Sequence, residues 1–183
     1  MQVSKESPDQ PEIIALIADL DAYQDTLYPA EARYALDLAS LKKSNVIFMV
    51  ARDGEGAAVG CGAVVITACV GELKRMYVRP QNRGHGVARS LLVALEASSL
   101  GAGCEELLLE TGPYQPEALA FYSKQGYPAQ PAAARRAHHG RGRAGQLCVY
   151  HLVYRVWSGQ YAARCGAAHQ RGPQRGGAVT RAA

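Results

Sequence analysis

The clearest chemical signature lies at Arg83-Gly84-His85-Gly86-Val87-Ala88, between an apolar stretch ending at Val78 and the helix-forming run VARSLLVALEASSL. At such a strand–turn–helix junction, successive backbone N–H groups point outward from the helix start. They form an anion-binding concavity that the helix dipole reinforces. Glycines at 84 and 86 let a phosphate approach the main chain without a Cβ in the way, and Arg83 adds positive charge beside it. The chemistry is that of a phosphate or pyrophosphate site, although two glycines also suit a plain tight turn before a helix. Two other Gly-rich loops fit less well. The dinucleotide fingerprint needs a third glycine where this chain has Ala88, and a parallel crossover where this chain has a meander. The nucleotide P-loop needs Gly-Lys-Ser/Thr, which is absent. His85 lies inside the loop and is expected to face solvent or phosphate rather than do chemistry.

The elements that must position this loop follow from periodicity and breakers. Residues 2–6 (QVSKE) read as a first strand. Asp9 can cap a helix over about 10–24, where Ile13, Ile14, Leu16, Ile17 and Leu20 recur at helical spacing. Tyr28-Pro29 breaks it, and a second helical stretch is expected over about 30–41. VIFMVAR (46–52) is a strand, Asp53-Gly54-Glu55-Gly56 a hairpin turn, and 58–69 the next strand, with Gly60 and Gly62 allowing a bulge. Gly71 is expected to turn the chain into a fourth strand, 72–78. A helix to about Leu100, a short buried-type strand at Glu106–Glu110, and a helix at Pro116–Lys124 with Gly126 as its cap complete the body.

Composition separates the chain into two regimes. The net charge is +4, with 48% apolar and 20% charged residues. Residues 1–128 hold every Asp and Glu and carry −5, whereas residues 129–183 carry nine Arg and no acid, +9. We read a globular body, 1–128, and a basic Ala/Arg/Gly-rich region, 129–183, in which only 147–156 patterns as a strand that could close the sheet. Residues 129–145 and 158–183 are expected to pack loosely. For the basic region, non-specific polyanion attraction is the most its composition supports, with no specific nucleic-acid partner expected. No run is apolar for the roughly 18 residues a membrane helix needs, and the first residues lack the apolar core of a secretory signal. A cytoplasmic location is the expectation. Five cysteines, odd in number and without a CxxC pair, argue against a disulfide framework or a zinc site. Cys61, Cys69 and Cys104 read as small buried hydrophobes.

Three blocks in order carry a family resemblance. Arg83-Gly84-His85-Gly86-Val87-Ala88 resembles the Arg/Gln-x-x-Gly-x-Gly/Ala signature of the GCN5-related N-acetyltransferase (GNAT) superfamily. Glu72–Pro80 (ELKRMYVRP) looks like that family's fourth strand leading into the loop. Gln115–Tyr127 (QPEALAFYSKQGY) is similar to its later Asn-x-x-Ala-x-x-x-Tyr-x-x-x-Gly-Phe block, with Gln115 where Asn is usual. The resemblance covers about residues 1–127. After Tyr127 the family continues with a turn and two antiparallel strands, whereas this chain continues PAQPAAARRAHHGRGRAG.

The resemblance implies an α+β, acyl-CoA N-acyltransferase-like fold: a mixed, mainly antiparallel sheet flanked by helices, with strands four and five splayed around the coenzyme. It implies acetyl-CoA as cosubstrate, no metal, and transfer of acetyl to a primary amine of a small molecule by direct attack. A CoA-binding module with little or no catalysis is the alternative, because the C-terminal strands differ. Backbone groups at Met76 and Val78 would pair with the pantetheine arm. Arg83, Gly84, His85, Gly86, Val87, Ala88 and Gln115 would meet the rest of CoA. Tyr122 stands where the family places the tyrosine that protonates the departing thiolate. Glu72 is the candidate base, with Glu110 second. Tyr77 lines the acceptor cleft in this reading, and Tyr23, Tyr28 and Tyr34 shape its pocket. A homodimer is common in the family.

Overall fold

A computed structural model of the chain describes residues 1–28 and 36–127, and the strand backbones at 129–130 and 152–157. In chain order the elements are β1 (Gln2–Lys5), α1 (Pro11–Asp25), α2 (Leu38–Leu41), β2 (Val46–Arg52), β3 (Ala58–Thr67), β4 (Val70–Val78), a 3-10 turn (Pro80–Asn82), α3 (Val87–Gly101), β5 (Glu106–Thr111), α4 (Pro116–Lys124), β6 (Ala129–Gln130) and β7 (Leu152–Trp157). They form one sheet in the order β1-β2-β3-β4-β5-β7-β6. Neighbours run antiparallel except β4 and β5, which are parallel. The fold is the expected α+β arrangement.

Both faces of the sheet are covered, which is why β2 is buried at nearly every position despite strand alternation. Val46, Phe48 and Val50 face α1, where they meet Ile13, Leu16, Ile17 and Leu20. Ile47 and Met49 face the other way, toward Leu91, Leu92 and Leu95 of α3, with Tyr122 and Tyr127 in the same cluster. Each large apolar side chain so buried stabilises the fold by roughly 1.5–3 kcal/mol.

The feature that positions a site is the parting of β4 from β5. Their pairing runs from Val70–Glu106 to Leu73–Leu109 and stops there, five residues before β4 ends. Just beyond that point β4 carries a bulge. Cys61 pairs with Tyr77 and Ala63 with Lys74, so Arg75 and Met76 together face Gly62. Arg75 takes a left-handed backbone, φ +56°. The glycine opposite leaves room for the bulge: a Cβ at Gly62 would lie 2.5 Å from Met76 Sδ and 2.8 Å from Leu95 Cδ1, so both side chains would have to shift.

Several sequence expectations shift. Gly71 does not turn the chain: it lies inside β4, buried beneath Leu107 and Val64, and Ala68, at φ +53°, takes the turn instead. Asp9 does not cap α1. Gln10 is its N-cap residue, without a side-chain cap, and Asp9 pairs with Lys42 at 2.5 Å. Cys69 is exposed in the β3–β4 turn, whereas Cys61 and Cys104 are buried. The expected helix over 30–41 appears as α2 alone, because 29–35 lie outside the described residues. So do 131–151 and 158–183, and with them Cys148, Cys165 and most of the region expected to pack loosely.

Candidate active site

One half of the candidate site is made of backbone. Gly86 is the N-cap residue of α3, at φ +81°, and Gly84 sits at φ +78°, a region open to glycine and strained for other residues. No side chain caps this helix start and its first turn holds no acid, so the early N–H groups of α3 remain available to an anion. A Cβ placed on Gly84 or Gly86 would meet nothing within 4 Å, so the space before the loop is open. His85 is exposed. Val87 is buried in the α3-face core and Ala88 packs against it, so these two offer a ligand their main chain only.

The open edge of β4 runs toward this loop. The N–H of Arg79 donates to Val59 O at 3.0 Å, which turns residue 79 toward β3. Strand alternation then turns the N–H and C=O of Val78 and Met76 the other way, toward the side that β5 has left. Their side chains pack in the α3-face core. At both positions the side chain packs in the core while the main chain faces the open edge.

Across the splay stands α4. Gln115 is its N-cap residue, and its side-chain oxygen accepts a hydrogen bond from the Thr111 hydroxyl at 2.9 Å. Tyr122 is 7% exposed, in edge-to-face contact with Phe121 at 5.1 Å and Tyr127 at 5.9 Å. Burial raises its pKa, so the phenol keeps its proton at neutral pH. Arg83 is not a free charge beside the loop: its Nε donates to Val78 O at 3.1 Å and its Nη1 pairs with Glu117 at 3.1 Å.

The opposite face, against α1, is assembled from side chains. Glu72 lies on the paired stretch of β4, opposite Leu108, with its carboxylate 2.7 Å from Lys74 Nζ. Glu110 lies one residue beyond the last β4–β5 pair, Leu73–Leu109. Tyr77 is buried in the α1-face core and also lines a cleft of about 420 Å³ with Asp19, Ala22, Arg79, Pro80 and Gln81. Tyr28 reaches from the end of α1 to the β5–α4 connection. Its hydroxyl accepts the Tyr114 N–H at 3.1 Å, and the two rings lie 5.6 Å apart. Tyr23 packs beneath Arg83, 5.8 Å from ring centroid to guanidinium carbon. Tyr34 lies outside the described residues. Cys61 donates to Arg75 O at 3.6 Å, and burial pushes its thiol up to about 12.

Sequence reasoning missed two participants. Arg75 is 6% exposed, and its guanidinium binds Asp21 of α1 and the carbonyl of Leu36, tying the bulge to the α1 face. Glu117 holds Arg83. Neither has a local sequence signal, since each acts on a residue more than 30 positions away. Among the described residues, no group of three His, Cys, Asp or Glu could hold a metal, and no helix is long and apolar enough to cross a membrane.

Known proteins share this arrangement. Residues 44–128 match the acetyltransferase (GNAT) domain family. An IAA acetyltransferase of Azospirillum brasilense is 46% identical over 127 residues, which are 68% of this chain and 82% of that protein. A crystal structure from Klebsiella pneumoniae, of a protein assigned as an acyl-CoA N-acyltransferase, superposes with a TM-score of 0.67 at 35% identity, covering 84% of this chain and 94% of that one. An aminoglycoside 6'-N-acetyltransferase crystallised with coenzyme A shares the fold at a TM-score of 0.63 and 15% identity, over 86% and 97% of the two chains. With a parted β4–β5 pair leading into an uncapped, glycine-bounded helix start, and with relatives of this identity over most of their length, the chain belongs to the GNAT family of acetyl-CoA-dependent N-acetyltransferases.

Proposed function

We propose that this protein transfers acetyl from acetyl-CoA to a primary amine of a small molecule by direct attack. The observation that carries the reading is the continuity of three features: the open edge of β4 after Leu73, the Gly84–Gly86 turn, and the acid-free start of α3. Acetyl-CoA supplies the activated thioester. The chain's own residues bind and orient it. The α3 N–H groups and the loop of Gly84, His85 and Gly86 take the pyrophosphate, with the main chain of Val87 and Ala88. Met76 and Val78 pair with the pantetheine amides as an added strand would. Gln115, fixed by Thr111, contacts the coenzyme from α4.

Tyr122 donates a proton to the departing sulfur; burial suits it to that task by keeping it protonated until charge develops beside it. Glu72 and Glu110 are the candidates for accepting the amine's proton, directly or through water. Glu110 lies at the parting of the strands, and Glu72 pairs with Lys74 on the paired stretch of β4. Direct attack accords with a Cys61 thiol that is buried and held protonated, so that it offers no nucleophile. The small-molecule amine is also the acceptor class in the name of the aminoglycoside enzyme with the same fold. We assign residues 1–128 to the catalytic body and 129–183 to a basic region from which β7 completes the sheet beside β5.

The test separates binding from turnover. CoA affinity is measured by calorimetry, and thiol release from acetyl-CoA is followed over a panel of primary amines. Binding with amine-dependent release is expected. Binding without release on any amine would make the protein a CoA-binding module, and no CoA binding would end the reading.

A further inference from the structure

We propose that Glu117 holds Arg83 across the coenzyme groove in the free protein and thereby sets the affinity for CoA. The inference rests on the reading that CoA lies along the open edge of β4. Val78 ends β4 on one side of the splay, and Glu117 sits in the first turn of α4 on the other. Arg83 spans them: Nε donates to Val78 O at 3.1 Å and Nη1 meets Glu117 Oε2 at 3.1 Å, above the ring of Tyr23. The guanidinium therefore covers a main-chain acceptor that faces the open edge, the same acceptor a pantetheine amide would use. It is also held by a carboxylate rather than offered to a phosphate.

Occupation of the edge by CoA requires an exchange. Arg83 leaves Val78 O and Glu117, the pantetheine amide takes the carbonyl, and the guanidinium turns to the pyrophosphate, where a charge-assisted, two-point contact compensates it. The departure is tolerable on both sides. The Arg83 side chain is 37% exposed and that of Glu117 78% exposed, so water reaches the carboxylate left behind. The α4 N-terminus also favours that negative charge. Glu117 thus parks Arg83 across the groove in the free protein and sets how much CoA binding must overcome.

A double-mutant cycle on CoA affinity tests this, using Glu117→Gln, Arg83→Gln and both together, with melting temperatures to confirm that each chain folds. Glu117→Gln is expected to tighten CoA by about 2- to 5-fold, the scale of one exposed ion pair, and to have no effect in the Arg83→Gln background. An equal gain in both backgrounds would mean that a carboxylate near the phosphates merely repels them, and would overturn the proposal. So would unchanged or weaker binding in Glu117→Gln. If the unmodified chain fails to bind CoA, the coenzyme reading falls and this one with it; if it binds and the cycle shows no coupling, only the role of Glu117 falls.

Discussion

The two faces of the sheet are held together differently. The α3 face is an apolar core in which Leu91, Leu92, Leu95, Tyr122 and Tyr127 close over Val78 and Leu109, with the Tyr127 hydroxyl donating to Glu96 at 2.7 Å, and apart from the Tyr122 phenol the groups it offers the proposed site are backbone N–H and C=O. The α1 face has an apolar centre but is clamped at both ends by charge. Arg52 binds Glu6 at 2.7 Å and Glu12 at 2.6 Å near the start of α1, and Arg75 binds Asp21 toward its end. The proposed coenzyme half is therefore written into local backbone geometry, the open edge of β4 and the glycine turn. The proposed acceptor half depends on side chains brought together from distant segments.

The largest effect that would sharpen this contrast belongs to Tyr122. Phe at this position removes only the hydroxyl from a packed ring, so CoA affinity should stay within about twofold while turnover falls roughly 10- to 1,000-fold. Full turnover on a verified amine would make Tyr122 a core aromatic and nothing more. The glycine turn comes next. Gly86→Val forces a β-branched residue to φ +81° and places its Cβ in the open space before the loop. CoA should weaken by about 5- to 150-fold; the backbone strain, about 1–3 kcal/mol, lowers the melting temperature, while the core stays folded because no core contact is lost. Unchanged affinity would break the coenzyme half of the comparison.

On the other face, Arg75→Gly keeps the left-handed backbone but removes the guanidinium from Asp21 and Leu36. Amide exchange should rise about 10-fold in the last turn of α1 and leave α3 unchanged, with CoA affinity intact. A matching loss of CoA affinity would show that the two faces are not separable. The smallest effect is set by pH. Hydrogen bonding from Arg52 lowers the Glu6 pKa from 4.5 to about 2. A depressed folded pKa contributes stability above the unfolded value that is lost as pH falls toward the folded one. Acidification from pH 7 to 4 should therefore cost about 1 kcal/mol at this site, growing toward pH 2 and loosening α1 before α3. Arg52→Gln should flatten that dependence; an unchanged acid profile would remove the charge clamp from the account.

Legibility followed the same division. Strand β2 and helix α4 sit where their apolar period and breakers placed them, and α1, α3 and β5 ended within a residue or two of expectation. The turn before β4 was misplaced because Gly71 is a packing glycine beneath Leu107, and the turn's positive φ fell to Ala68. A glycine signals either freedom or lack of room, and the sequence does not distinguish the two. The bulge at Gly62 was foreseen as a possibility of the β3 glycines; that Arg75 would take the strained position opposite was not.

By itself the sequence determined the alternation of elements, the charge divide at residue 128 and the glycine turn that opens α3. Each of these is a local property of neighbouring residues: periodicity, composition, and a backbone turn that only glycine forms cheaply. Tertiary structure decided where β4 leaves β5, that Arg83 is already engaged by Val78 and Glu117, and that Tyr28 and Arg75 reach from one segment to another 39 to 86 positions away. Those contacts arise only when the sheet brings distant positions within a few ångströms, and a side chain's partner depends on that placement rather than on its neighbours in the chain.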